Sequence, residues 1–187
     1  MKIALTGPGG GGKTTLLKAL QERPELSHLK VLPEITRTIH ERGYPINESG
    51  TDTTQLLVMH AHIHNLFYED DYIVDRCILD GIVYTEALLT LREGRSEARR
   101  HWMYQSAAGI ARNFFNRYDA VFFIPNEFPI ESDGVRSTNA EFTKLVQNLF
   151  DDYVSGSILN SAITTVTGSV EERAERVIQT LQNKGVI

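Results

Sequence analysis

Five short apolar runs punctuate the chain: KIAL (2–5), LKVLPE (29–34), DYIVDR (71–76), YDAVFFIP (118–125) and SAITTVTG (161–168). Each is short and nearly continuous, the pattern of parallel strands buried on both faces. Between them the spacing changes. Residues 51–70 (TDTTQLLVMHAHIHNLFYED), 80–94 (DGIVYTEALLTLREG) and 139–154 (NAEFTKLVQNLFDDYV) carry apolar positions at helical intervals. A last helix starts after Gly168, where Ser169 and Glu172 have the spacing of a capping box. This alternation predicts an α/β fold, a five-stranded parallel sheet with helices on both faces, whose ligands bind beyond the C-terminal ends of the strands. With 187 residues, 41% of them hydrophobic, and no internal repeat or linker, we expect a single domain over 1–187.

Directly after the first strand stands GPGGGGKTT (7–15), followed by helix-forming LLKAL. It fits G-x-x-x-x-G-K-[ST], with Gly7, Gly12, Lys13 and Thr14 in the fixed places, and so predicts the P-loop NTPase fold. Glycine keeps the main chain open to a ligand, and N–H groups at a helix N-terminus converge on an anion. Gly7, Gly9, Gly10, Gly11, Gly12, Lys13, Thr14 and Thr15 are therefore expected to hold a nucleoside triphosphate. Lys13 would reach the outer phosphates, the Thr14 hydroxyl would take one position on Mg²⁺, and Thr15 would cap the helix or pack.

Polar residues just past the other strands would surround that nucleotide. PEITR places Glu34 at the end of the second strand and Arg37 about one turn later. Glu34 could accept the proton of an attacking hydroxyl, and Arg37 could hold the substrate. DRCILD follows the third strand: Asp75 would lie near Mg²⁺ or its waters, and Arg76 could neutralise charge on a transferring phosphoryl group. Asp80 could fix a substrate hydroxyl or an arginine. The alternative is that these five residues pair with one another as structural salt bridges. NEFPIESDGVRSTNAEF, after the fourth strand, is long for a loop in a compact domain. We expect a lid over roughly 126–139 that closes on the phosphates and brings in Arg136 as a charge stabiliser; the alternative is a solvated surface loop.

The net charge of −5 does not suggest general nucleic-acid binding, yet residues 92–117 hold six arginines against two glutamates and are locally basic. No stretch approaches the roughly 18 apolar residues that span a bilayer, so no membrane partner and a cytoplasmic location are expected. The single cysteine, Cys77, cannot form an internal disulfide and is expected to be a buried thiol. Of His60, His62 and His64 only the first and last share a helical face, and no H-E-x-x-H glutamate accompanies them, so a metal is not expected there. The D-x-x-G and N-K-x-D patterns of GTPases do not occur in the chain. Asp75 is followed by Arg76 rather than by Glu, which favours a small kinase over a motor or transporter ATPase.

In this order, GPGGGGKTT, PEITR, DRCILD with VY two residues on, and DGVRS resemble the AAA_28-type, nicotinamide riboside kinase-like group of phosphate-loop proteins, within the wider nucleoside and nucleotide kinases. The resemblance covers nearly the whole chain. It implies ATP·Mg²⁺ bound by Gly7 to Thr15 and an acceptor hydroxyl near Glu34 and Asp75. In deoxynucleoside kinases the acid after the second strand acts as base; Glu34 takes that place, with Ile35 where those kinases usually carry proline. Relatives in bacteriophages that hypermodify DNA resemble enzymes phosphorylating 5-hydroxymethyluracil within the polymer. The arginines of 92–117 would suit such an acceptor, or form a solvated helix face, or bind only a nucleotide's own phosphate. The expected activity is transfer of the γ-phosphoryl of ATP to a hydroxyl of a nucleoside- or nucleotide-like acceptor, in the cytoplasm of a bacterium or a phage-infected cell. The alternatives are modified DNA as acceptor and an ATP-gated binding module.

Overall fold

A computed structural model describes residues 1–127, 137–156 and 163–187. In chain order the elements are β1 (Lys2–Thr6), α1 (Lys13–Gln21), β2 (Lys30–Leu32), α2 (Ile35–Glu41), α3 (Asp52–Tyr68), β3 (Tyr72–Asp75), α4 (Ile78–Glu93), α5 (Arg95–Arg100), α6 (Trp102–Phe114), β4 (Ala120–Phe123), α7 (Ala140–Ser155), β5 (Ile163–Thr165) and α8 (Val170–Asn183). All strand pairings are parallel, in the order β2-β3-β1-β4-β5. The expected five-stranded parallel sheet with helices on both faces is the architecture observed.

Alternation within the strands assigns the two faces. Ile3, Leu5, Ile73 and Phe122 pack with α1 and α8, whereas Ala4, Val74, Val121 and Phe123 pack with α3, α4, α6 and α7. Both faces being covered is what makes the runs read as continuous. In register, Leu5 faces Asp75 on one side and Phe122 on the other. The ladder continues one step further, with Arg76 N donating to Leu5 O at 2.8 Å and Ile124 N to Thr6 O at 2.9 Å. The ends of β3 and β4 therefore lie level with, and on either side of, the glycine loop that leaves β1.

The strands are shorter than the apolar runs, for local reasons. Pro33 lacks the N–H that would extend β2, Arg76 turns to φ 81° directly after β3, and Pro125 follows the last ladder bond beyond β4. Helices α5 and α6 occupy most of the basic segment, where the sequence pattern assigned no element. Residues 128–136, with Arg136 and most of the expected lid, lie outside the described residues. No helix among the described residues is long and apolar enough to cross a membrane.

Candidate active site

The glycine loop is fixed by contacts a side chain would not allow. Gly7 has φ 138°, and a Cβ there would stand 2.3 Å from Ile124 O. Gly12 caps α1 at φ 83°. The loop's carbonyls are engaged one after another. Lys13 Nζ donates to Gly7 O at 2.9 Å and to Pro8 O at 2.8 Å. Asn126 Nδ2 donates to Gly9 O at 2.9 Å, and Arg173 Nη1 to Gly11 O at 2.5 Å. Gly12 O accepts the first bond of α1, from Leu16 N at 3.0 Å. The Lys13 ammonium is buried; burial and then Arg76 lower its pKa, against the pull of Asp75, Asp80 and Glu34.

Thr14 Oγ1 donates to Asp75 Oδ2 at 2.8 Å. Asp75 is buried, and among the described residues its Oδ1 has no hydrogen-bond partner. A hydroxyl next to a carboxylate with one spare buried oxygen fits Mg²⁺, which takes one or two protein oxygens and keeps waters and phosphate oxygens for the rest. No group of three or more His, Cys, Asp or Glu able to hold a metal occurs among the described residues.

Opposite the loop, the candidate residues from β2 and β3 form one connected cluster. Glu34 Oε1 accepts from Arg76 Nε at 2.7 Å, and its Oε2 accepts from Arg37 Nε at 3.1 Å. Arg76 Nη1 reaches Asp80 Oδ1 at 3.4 Å, and its guanidinium lies 5.2 Å from the centre of the Tyr84 ring. Asp80 Oδ2 accepts from Thr6 Oγ1 at 2.7 Å and from Cys77 N at 2.9 Å, which ties the start of α4 to β1. Burial would raise the pKa of Glu34, but Arg76, Lys13 and Arg37 outweigh it and hold the carboxyl below its usual range. Burial likewise works against the Arg76 charge, and Tyr84, Glu34, Asp80 and Asp75 more than offset it. A non-glycine residue at φ 81° is strained, at about 1–3 kcal/mol; here the turn accompanies a side chain that meets Glu34, Asp80 and Tyr84 together. Cys77 is fully buried, and burial with Asp80 pushes its thiol pKa up, so it stays protonated.

A cleft separates the loop from this cluster. The loop from Pro8 to Thr15 lines one side, Glu34, Arg37, Arg76 and Tyr84 the other, and Asn126, Phe142 and Val146 a third. Asp80 does not line it but stands behind Arg76, in a smaller side pocket. Sequence reasoning missed Asn126, Tyr84, His62 and Arg173. Arg173 carried a signal: it falls on the apolar stripe of α8 with Ala174, Val177, Ile178 and Leu181, where a buried arginine needs partners. Those partners include Gly11 O and Glu127, whose Oε2 lies 2.5 Å from Arg173 Nη2. His60 and His64 are exposed and His62 is buried on α3.

The basic segment is less free than its sequence suggests. Arg92 bonds Asp52 at 3.2 Å, Arg99 bonds Glu86 at 2.7 Å and Arg100 bonds Glu97 at 3.0 Å. Arg95 meets both Glu86, at 3.2 Å, and Asp152. Arg117 lies over the Phe67 ring at 4.4 Å.

The whole architecture recurs in solved structures. Deoxyadenosine kinase from M. mycoides with the products dCMP and dCDP aligns with TM-score 0.71 at 16% identity, over 98% of this chain and 99% of that one. The same enzyme with dCTP gives 0.69 at 15%, over 98% and 100%. Thymidylate kinase from Candida albicans gives 0.62 at 18%, over 98% and 91%. At these identities the likeness is one of fold, the P-loop kinase fold. No curated protein matches the chain. The AAA_28 family, described as an AAA domain, matches residues 2–173, and the chain belongs to that family.

Proposed function

We propose that the protein is an ATP-dependent kinase that transfers the γ-phosphoryl group of ATP to a hydroxyl of a nucleoside- or nucleotide-like acceptor. The observation that carries this reading is the shared cleft, in which a glycine loop with a buried lysine faces an acid–arginine cluster. A triphosphate on the loop and a hydroxyl beside Glu34 would meet across that cleft. Likeness of fold to deoxyadenosine and thymidylate kinases supports the same class of reaction.

In this reading the residues divide the work by position. Gly7, Gly9, Gly10, Gly11 and Gly12 form the loop; engaging its carbonyls elsewhere leaves the opposite pole of each peptide, the N–H, for phosphate oxygens. Lys13 exchanges the carbonyls of Gly7 and Pro8 for the outer phosphates, where its charge counts most in a buried setting. Thr14 and Asp75 would hold Mg²⁺, which when bound draws off negative charge from the phosphate oxygens. Thr15 lines the cleft beside them. Glu34 accepts the proton of the attacking hydroxyl, Arg76 balances charge on the transferring group, and Arg37 contacts the acceptor. Asp80 acts through Arg76, as a positioning residue. Arg136 is assigned from the sequence, as a further charge stabiliser.

The acceptor is found with γ-labelled ATP and parallel candidates: nucleosides, nucleoside monophosphates, nicotinamide riboside, and duplex DNA with thymine or 5-hydroxymethyluracil. Label on a small molecule is expected. Label only on the modified DNA would make the DNA the acceptor. ATP binding with no label on any acceptor would replace the kinase by an ATP-gated module.

A further inference from the structure

Arg173 stands where neither its helix nor its surroundings favour a cation. It is the fourth residue of α8, near the end of the helix whose dipole repels positive charge. It also lies on the buried stripe of Ala174, Val177, Ile178 and Leu181, where an apolar side chain would complete the packing. A buried ion pair adds little stability that such a side chain would not supply. Departures of this kind from local rules mark functional positions, so the role of Arg173 lies in what its guanidinium touches.

Nη1 donates to Gly11 O at 2.5 Å and lies 3.4 Å from where a Gly12 Cβ would stand, so the guanidinium rests against the peptide joining these two glycines. Nη2 meets Glu127 Oε2, also at 2.5 Å. That carboxylate is held from a second direction by Gly168 N, at 2.9 Å, in the turn that leads into α8. The Gly168 amide and then Arg173 hold the Glu127 carboxyl below its usual range, so it stays ionised at neutral pH. The exit of β4, the turn before α8 and α8 itself thus converge on one carbonyl of the loop. On a planar trans peptide the carbonyl and the N–H point in opposite directions. Holding Gly11 O towards α8 therefore turns the Gly12 N–H away from α8, and Gly12 lines the cleft.

We propose that Arg173 and Glu127 are a positioning pair for phosphate binding: Arg173 draws the Gly11 carbonyl out of the cleft, which presents the Gly12 N–H to a phosphate oxygen, and Glu127 fixes the guanidinium in that place. This role rests on the kinase reading above, in which the loop holds a triphosphate. Neither residue lines the cleft, so both act through the loop. The sign of the Glu127 effect separates positioning from simple electrostatics. A carboxylate near a triphosphate repels it, so loss of that charge alone would tighten binding. Loss of a positioning group weakens it.

The test is calorimetric titration of the full chain with inorganic tripolyphosphate and with ATP, each with Mg²⁺. Arg173→Ala and Glu127→Gln should each weaken both ligands by about three- to tenfold. Arg173→Lys, which lacks the fixed fork that spans Gly11 O and Glu127, should fall between Arg173→Ala and the unaltered protein. Because Glu127 acts through Arg173, combining Arg173→Ala with Glu127→Gln should weaken binding no further than Arg173→Ala alone, whereas independent losses would multiply. Glu127→Gln changes a partly exposed side chain and serves if Arg173→Ala does not fold. Unaltered or tighter binding in the folded variants would overturn the pair. So would losses that multiply, or a loss confined to ATP, which would lie at its base or ribose rather than at the loop. An unaltered protein that binds neither ligand would overturn it too. Phosphoryl transfer measured in parallel separates this role from the kinase reading. Weakened binding in the variants of a protein that transfers no label removes the kinase and leaves the pair, whereas transfer with wild-type binding in every variant removes the pair and leaves the kinase.

Discussion

At the scale of single residues, two groups of opposite character dominate the site. Lys13 and the Glu34–Arg76 pair sit on facing sides of the cleft, and each should fail in its own way. Lys13→Ala should remove turnover, a loss of at least about 10²-fold in kcat, because a preorganised charge at the phosphates is deleted. Glu34→Gln should slow transfer by about 10²- to 10⁴-fold while ATP binding, measured by calorimetry, is retained; unchanged transfer would move the base role to Asp75 or remove it. His62 yields a prediction about stability. Its pKa is about 3 in the fold against 6.5 unfolded, so between these values the unfolded chain binds a proton that the folded chain does not. Stability therefore falls as pH drops below 6.5, by at most about 1.4 kcal/mol per pH unit. Glu34 has a lowered pKa, so its contribution is complete above its ordinary value of 4.5 and fades only below it. Urea melts between pH 4.5 and 6.5 test the His62 contribution, and His62→Gln should flatten the slope there.

At the scale of elements, legibility followed how strongly each was marked. The glycine loop could be read because its function fixes letters as well as spacing, and the strand ends because apolar runs stop where the chain turns. Helices α5 and α6 escaped because the buried face of α6 is Met103, Ala107, Ala108 and Ala111, and alanine marks an apolar stripe weakly. The arginines of that stretch drew attention as a surface, although Arg95 and Arg99 converge on the fully buried Glu86. In α8 the reverse occurred: its capping box was legible, but Arg173 passed as one charge among several. That helix offers a paired test. Ser169→Ala removes the side chain that accepts from Glu172 N and should lower stability by about 1 kcal/mol with the KM for ATP unchanged. Arg173→Ala releases Gly11 O and Glu127 and should raise the KM for ATP several-fold, with Arg173→Lys intermediate. Equal KM values in the two variants would make the Arg173 contact purely structural.

At the scale of the whole molecule, the glycine loop is where distant parts of the chain are joined. Its contacts come from Asn126 just past β4, from Arg173 on α8, and from Asp75 of β3 through Thr14. The ends of β3 and β4 and helix α8 therefore meet at the loop, and a ligand seated there stabilises the fold as a unit. ATP with Mg²⁺ at 100 times its Kd should add about 2.7 kcal/mol, which for a chain of this size is a rise in Tm of roughly 5–11 °C. The size of the rise should depend on Mg²⁺, because a bare triphosphate would face Asp75, whose spare Oδ1 is buried and unpaired among the described residues. Chelating the metal should therefore reduce the shift. Asp75→Asn removes the carboxylate that both repels the triphosphate and favours the cation, so its shift should be nearly the same with and without Mg²⁺. A shift in the unaltered protein that ignores Mg²⁺ would instead leave Asp75 with Thr14 alone, as the anchor of α1 to β3.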